Sequence, residues 1–469
     1  MTSVVIIGGG PGGYEAALVA NQLGAQVTVI DRDGLGGSAV LTDCVPSKTL
    51  IATAEVMTDM AAAPELGIHF RDSEGDTATN VVADLAQVNA RVKLLAAAQS
   101  ADIEGRLTRR GIRIIKGTGR LGSGAGRGGG DVIATLASGA EETVHADAVL
   151  IATGAHPRVL ATAQPDGERI LTWEQVYGLT ETPTHMIVVG SGVTGAEFAS
   201  AYLALGIEVT LVSSRDRVLP GEDADAAGVL QDVLERRGMN ILSQSRMQGV
   251  TRDGDTVTVT LSDGRTVTGS HCILALGSVP NTEGLGLEEA GVKLDDGGFI
   301  LIDKVSRTTA PGVYAAGDCV GGFMLASTAA MAGRIAMRHF LGDGVQPMDL
   351  KQIASNVFTS PEIATVGWSQ AAVDNGEVQA EVVKLDLQGN PRAKMQGIKD
   401  GFVKLIARPG SGVVIGGVVV GPRASELIHP ISLAVAANLT VDQVANTFTV
   451  YPSLSGSIAE AARRLHQVG

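Results

Sequence analysis

One local pattern occurs twice in this chain: an apolar run, a glycine turn, an Ala-rich stretch and a second short apolar run. Residues 4–13 read VVIIGGGPGG and lead into a helix expected over Tyr14–Leu23, with a strand expected over Gln26–Ile30. Residues 186–195 read MIVVGSGVTG and lead into a helix expected over Ala196–Leu205, with a strand over Glu208–Val212. Each copy is the opening β-turn-α-β of a doubly wound dinucleotide fold. The fold class expected is therefore α/β, with two Rossmann-like dinucleotide-binding domains.

In the first copy Gly8, Gly10 and Gly13 fall between strand and helix, the context that gives GxGxxG its meaning. The first glycine makes the turn, the second admits the pyrophosphate, and the third lets helix pack on strand. The helix N-terminus then stabilises phosphate charge. Asp31 ends the second strand, where its carboxylate is placed to accept hydrogen bonds from a ribose.

The second copy uses Gly190, Gly192 and Gly195. The equivalent of Asp31 is Ser213, followed by Arg215 and Arg217. An acid there would repel the 2′-phosphate of NADPH. Serine removes the repulsion and an arginine can pair with the phosphate. The two arginines read either as phosphate partners or as solvated loop residues. The first reading predicts that NADPH is accepted at least as well as NADH.

At 469 residues the chain has room for about three domains. Glycine is abundant (61 residues) without a collagen-like period, which fits many tight strand-to-helix turns. A formal charge of −14 and the lack of a basic stretch argue against a nucleic-acid partner. No basic leader with a cleavage site is visible, no apolar run is long enough for a membrane span, and three cysteines make no disulfide scaffold. A cytoplasmic location is the expectation, and no metal site is expected.

Residues 50–111 carry an Ala/Leu/Val face expected to be helical, and the glycine-rich residues 123–130 read as a mobile hairpin turn. Apolar strands ending in glycine are expected at 148–154, 272–277 and 313–317. After about residue 341 the pattern changes to strands (402–407, 413–420) followed by helices (424–439, 441–447), a separate α+β domain. The boundaries expected are 1–154 and 279–346 for two parts of a first nucleotide-binding and central domain, 155–278 for a second nucleotide-binding domain, and 347–469 for the C-terminal domain.

Several motifs, in order, resemble those of the flavoprotein disulfide reductases, the class I pyridine nucleotide-disulfide oxidoreductases typified by dihydrolipoamide dehydrogenase. Residues 309–318 (TAPGVYAAGD) resemble the second FAD motif, 152–154 (ATG) and 275–277 (ALG) the strand-ending motifs near the two cofactors, and 390–393 (NPRA) and 418–422 (VVVGP) segments of the interface domain. The resemblance implies FAD at the first site, with Thr153, Gly154, Asp318 and Ala326 among its contacts, and NADPH or NADH at the second, with Gly277 nearby. It implies a C-terminal dimerisation domain and a homodimer whose active site the partner subunit completes. Lys48 matches the lysine near flavin N5, and Glu197 matches its ion-pair partner. A cation there stabilises the anionic reduced flavin and the carboxylate fixes its position.

The chain departs from that family in one half-reaction. Residues 36–48 (GGSAVLTDCVPSK) resemble the redox-active segment, but Ala39 stands where the family has the cysteine that attacks substrate disulfide. Cys44 occupies the flavin-side position, ahead of a helix start with proline in its first turn. A thiol at a helix N-terminus near a lysine has a lowered pKa, so Cys44 reads either as a thiolate against the flavin or as an inert thiol. Residues 451–456 (YPSLSG) align with the family's His-Pro-x-Leu-Ser-Glu segment, so Tyr451 and Gly456 replace the acid–base histidine and its orienting glutamate. An unperturbed tyrosine, with a pKa near 10, is a poor proton shuttle at neutral pH. Tyr451 reads either as a group that stacks on or donates to a substrate ring, or as interface packing.

The expectation is an FAD-dependent NAD(P)H:quinone oxidoreductase (a diaphorase) without a redox disulfide and without lipoamide or glutathione reductase activity. Other readings left open are hydride exchange between pyridine nucleotides, a peroxidase or mixed-disulfide reductase using Cys44 alone, and a non-catalytic FAD-binding scaffold.

Overall fold

The structure is a computed structural model and describes residues 2–71, 81–126 and 128–466. The chain forms two compact units. The first comprises residues 1–49, 89–158 and 277–349, and the second comprises 50–88, 159–276 and 350–469.

The first unit is built on a seven-stranded sheet. Val313–Ala315, Ala148–Ile151, Ser3–Ile7, Gln26–Asp31 and the start of Arg113–Leu121 pair in parallel, in that order across the sheet. The first three of these strands are almost wholly apolar, as expected for a sheet covered on both faces. The strand Arg113–Leu121 then changes partner. Residues 113–116 pair with 28–31, whereas 117–121 pair antiparallel with Gly130–Leu136, which in turn pairs with Glu141–Ala146. The helices Pro11–Gln22 and Ala326–Phe340 lie against each other, and small residues permit the approach: a Cβ on Gly333 would strike the carbonyl of Gly12. Val4, Ile6, Ala16, Ala20, Val29, Leu107 and Met337 share one core on this face, while Val5, Ile7, Ile30, Val132, Ile151 and Ala315 share another on the opposite face.

The second unit contains a parallel five-stranded sheet in the order Asn240–Leu242, Glu208–Val212, His185–Val189, His271–Leu274, Ile170–Thr172, with a three-stranded antiparallel sheet formed by Met247–Asp253, Thr256–Leu261 and Thr266–Gly269. It also holds a second five-stranded sheet, antiparallel throughout, in the order Ala354–Val357, Glu362–Gly367, Val414–Gly421, Phe402–Ala407, Glu381–Asp386. The helix Ala424–Ala436 packs on this sheet through Ile428, Ile431 and Ala434. Lys404, buried in the strand Phe402–Ala407, donates to Asp223 at 2.7 Å and lies 2.8 Å from Asp225, both at the start of the helix Ala224–Arg236. A buried ammonium is tolerated only with such partners.

Local expectations for the paired β-α-β segments hold to within a few residues. The long helical stretch divides into Cys44–Ala62 and Leu85–Arg109, with 72–80 outside the described residues. The glycine-rich segment joins two antiparallel strands as expected. Within it Ala125 is buried, and Arg127 lies outside the described residues.

Candidate active site

In the first unit the glycines of residues 8–13 divide between two roles. Gly8 has φ +104°, and a Cβ there would collide with the carbonyl of Ala152; a Cβ on Gly13 would collide with the carbonyl of Gly8. These two hold the turn together. Gly10 instead faces open space, and the nearest atom to a Cβ would be Gly37 Cα at 3.9 Å. A backbone left uncovered at the N-terminus of a helix is the cradle that a pyrophosphate requires.

Asp31 closes the turn from the adjacent strand. It accepts from Gly9 N at 2.7 Å, Gly34 N at 2.7 Å and Asp33 N at 3.0 Å. Burial pushes its carboxyl up, against the pull of those three donors. A carboxylate offers about four lone-pair sites, so it retains capacity for a ribose hydroxyl. Beside it is a cavity of about 450 Å³ whose walls include Gly8, Asp31, Gly119, Thr153, His156 and Asn281. Asn281 was not foreseen from the sequence. Its amide donates to the Thr153 carbonyl at 2.9 Å, the Thr153 hydroxyl donates to the Asn281 carbonyl at 2.7 Å, and its Oδ1 lies 2.6 Å from His156 Nδ1. Gly154, with φ +71°, accepts from Asn281 N.

Asp318 follows Gly317, which has φ +88°. Burial and the neighbouring Asp43 push its carboxyl up to about 6. Ala326 is the first residue of the helix Ala326–Phe340. Ala39 lies in the short helix Gly37–Leu41. Cys44 is the first residue of the helix Cys44–Ala62, partly exposed, with Pro46 in the first turn and Lys48 one turn on. These placements agree with the local reading of residues 36–48.

The second unit repeats the cradle. Gly190 has φ +116°, a Cβ on it would strike the Ala275 carbonyl, and a Cβ on Gly195 would strike the Gly190 carbonyl. Gly192 has nothing within 4 Å of where its Cβ would be. Ser213 is fully buried, and its hydroxyl is 2.7 Å from that of Ser191 and accepts from Arg215 N at 3.0 Å. The serine therefore builds the loop. Arg215 is exposed, whereas Arg217 is partly buried and its Nε is shielded from solvent with no hydrogen-bond partner. Gly277 belongs to the first unit and has φ +86°.

Glu197 lies in the helix Val193–Ala204, 5% exposed, and accepts from Phe358 N at 2.9 Å. Lys48 belongs to the first unit and Glu197 to the second. Also in the second unit, Phe448, Val450 and Tyr451 are exposed by 103%, 78% and 82%. The segment they begin is anchored by Asn390, which caps the helix Pro391–Met395 and donates to the Ser453 carbonyl at 2.9 Å and to Ser457 Oγ at 2.8 Å. Gly456 opens the helix Gly456–Arg464, and a Cβ there would have its nearest neighbour, Ser453 Oγ, at 3.5 Å.

Two glycine cradles at helix N-termini, one with an acid and one with arginines beyond the second strand, suit the pyrophosphates of two dinucleotides. Comparison with known proteins agrees. Residues 2–333 match the pyridine nucleotide-disulphide oxidoreductase family, and residues 353–462 match the dimerisation domain of that family. This chain belongs to that family, whose members use FAD and NAD(P)H. It is 55% identical to a Mycobacterium tuberculosis protein named NAD(P)H dehydrogenase (quinone), over 99% of this chain and 94% of the relative. It is 34% identical to the dihydrolipoyl dehydrogenase of Chlorobaculum tepidum, over 98% of this chain and 96% of the relative. The crystal structure of LpdA from M. tuberculosis superposes with a TM-score of 0.95 at 55% identity, covering 100% of both chains. The HOCl-induced flavoprotein disulfide reductase RclA of Escherichia coli, at 22% identity and a TM-score of 0.84 over 99% of each chain, shares the fold. No helix among the described residues is long and apolar enough to cross a membrane.

Proposed function

We propose that this chain is a cytoplasmic NAD(P)H:quinone oxidoreductase that works without a redox disulfide. The reaction is NAD(P)H + H⁺ + quinone → NAD(P)⁺ + hydroquinone. The observation that carries this reading is a pattern of loss. Ala39, Tyr451 and Gly456 stand at the three positions that serve thiol–disulfide exchange in the family, while both nucleotide cradles are intact. The name carried by the 55% identical relative supports the same acceptor class.

In this reading residues 1–154 and 279–346 hold FAD, 155–278 hold the nicotinamide nucleotide, and 347–469 form the interface. Gly8, Gly10 and Gly13 receive the flavin pyrophosphate, Asp31 the adenosine ribose, and Asp318 the ribityl chain, with Thr153, Gly154 and Ala326 around it. Bound FAD supplies a two-electron carrier between nucleotide and acceptor. Lys48 places a cation where negative charge develops, and Glu197 is the carboxylate that the family resemblance assigns to it as a partner. Gly190, Gly192 and Gly195 receive the second pyrophosphate, with Gly277 nearby. Ser213 leaves that site without a repelling acid, and Arg215 and Arg217 are there for a 2′-phosphate. Tyr451 presents an aromatic face and a hydroxyl donor to a quinone. The contiguous exposure of Phe448, Val450 and Tyr451 supports a homodimer in which a second copy covers them.

An acceptor panel under steady-state conditions tests the reading. Naphthoquinones are expected to turn over with ping-pong kinetics, and lipoamide and glutathione disulfide are not. Efficient reduction of either disulfide would overturn it, and loss of quinone turnover in Cys44→Ala would show that the remaining thiol is essential.

A further inference from the structure

The two glycine turns repeat one hydrogen-bond scheme, which fixes the correspondence of their residues. Gly8 N donates to the Ile30 carbonyl at 2.8 Å, and Gly190 N to the Val212 carbonyl at 2.9 Å. Gly36 N donates to the Gly9 carbonyl at 2.8 Å, and Leu219 N to the Ser191 carbonyl at 2.8 Å. Asp31 Oδ1 accepts from Asp33 N at 3.0 Å, and Ser213 Oγ from Arg215 N at 3.0 Å. Gly9 therefore corresponds to Ser191, and Asp31 to Ser213.

The two pairs differ together. In the first turn the other oxygen of Asp31 accepts from Gly9 N at 2.7 Å. A Cβ on Gly9 would stand 2.6 Å from Leu35 Cδ2, 3.1 Å from that carboxylate oxygen and 3.2 Å from the carboxyl carbon. Any side chain at position 9 would therefore crowd the acid. In the second turn Ser191 supplies that Cβ with a hydroxyl beyond it, and the shorter Val218 stands in the place of Leu35. Ser191 Oγ is 2.7 Å from Ser213 Oγ and donates to the Arg217 carbonyl at 3.4 Å. Ser191 is 5% exposed and Ser213 0%, so neither hydroxyl is presented to a ligand. By this correspondence the two hydroxyls fill the space that a carboxylate fills in the first turn.

We propose that Ser191 is a specificity-determining residue for the nicotinamide nucleotide. Its hydroxymethyl group takes the space that a ribose-binding carboxylate at position 213 requires, so the pair 191 and 213, not position 213 alone, commits the site to accepting a 2′-phosphate. An acid at 213 would accept from the 2′-hydroxyl of NADH and repel the phosphate of NADPH. With glycine at 191 the acid has room and a backbone N–H to hold it, as Asp31 has from Gly9. With serine at 191 it has neither the room nor the orientation. This rests on the reading that the second turn holds the nicotinamide nucleotide, and it moves the choice between NADPH and NADH from one residue to a coupled pair.

The test is the second-order rate constant for anaerobic reduction of the enzyme's FAD by NADPH and by NADH, in Ser191→Gly, Ser213→Asp and the double variant. Ser213→Asp is expected to lose rate with NADPH and gain none with NADH. The double variant is expected to exceed Ser213→Asp with NADH by at least about tenfold, the worth of one hydrogen bond to a charged group. Ser191→Gly alone is expected to gain nothing with NADH. The double variant should also have a higher Tm than Ser213→Asp, because the crowding is relieved, and that comparison stands even where Ser213→Asp folds too poorly for kinetics. No NADH gain in the double variant, an equal gain in either single variant, or a double variant no more stable than Ser213→Asp would overturn the proposal. A native enzyme whose flavin is reduced by neither nucleotide would instead overturn the reading of the second turn, and the proposal with it.

Discussion

At position 39 the side chain is a single methyl group, so Cys44 has no neighbour five residues away with which to close a disulfide. Replacing Ala39 by cysteine alone restores one sulfur but neither the proton shuttle nor the carboxylate that orients it. We expect Ala39→Cys to show negligible lipoamide reduction. The triple variant Ala39→Cys, Tyr451→His, Gly456→Glu should gain a measurable rate, since the space beyond Gly456 admits a side chain. A single variant with the full rate of the triple would contradict the claim that the three losses act as a unit.

A second residue-scale prediction concerns Asp318. Its carboxyl is held up to about 6 by burial and by Asp43. The same group in the unfolded chain titrates near 3.9. The native state therefore keeps a proton through a range where the unfolded state has lost it. The contribution to stability is fully present below the unfolded value and is lost as pH rises through about 6, a cost of about 3 kcal/mol above that pH. Flavin-free Asp318→Asn should accordingly be more stable than the native chain at pH 7.5 in a denaturant titration. The difference should vanish near pH 4, while the holoenzyme of the variant releases FAD more readily.

The two β-turn-α elements show how different glycines in one motif carry different loads. Gly195 is enclosed by the backbone of its own turn, and Gly192 faces open space at the helix start. Gly195→Ala forces the helix away from its strand and should cost about 1–3 kcal/mol, the range for overpacking. Gly192→Ala meets no atom of the chain, so its Tm should stay near the native value while KM for NADPH rises several-fold. Thermal melts and steady-state kinetics on the pair separate packing from ligand approach; equal losses of Tm would contradict the assignment.

These elements were legible in the sequence because their steric demands are local. A strand, a turn that excludes Cβ atoms and a helix must follow one another within about a dozen residues. The strands Gln26–Asp31, Glu208–Val212 and Phe402–Ala407 were marked by short apolar runs, each broken by a single internal polar residue (Thr28, Thr210 and Lys404). What escaped sequence reasoning depends on distant partners. Asn281 is defined by Thr153 and His156, more than a hundred residues earlier. Ser213 was read correctly as a non-acid, but its burial against Ser191 follows from the packing of two separate turns.

For the molecule as a whole, conservation of fold and change of chemistry are separable. The chain shares its fold with a flavoprotein disulfide reductase at 22% identity and is 34% identical to a dihydrolipoyl dehydrogenase, yet function lies in the site grafted on the fold. In the proposed reading the nucleotide side keeps its cradles, and the disulfide side lacks its thiol, base and carboxylate at positions 39, 451 and 456. The most direct test is an anaerobic titration of the oxidised holoenzyme with NADPH, counting electrons from the flavin absorbance. One flavin and no dithiol predict an end point of two electrons per FAD, with no further uptake. An end point of four electrons would contradict the account, because it would require a second redox centre that pairs with Cys44.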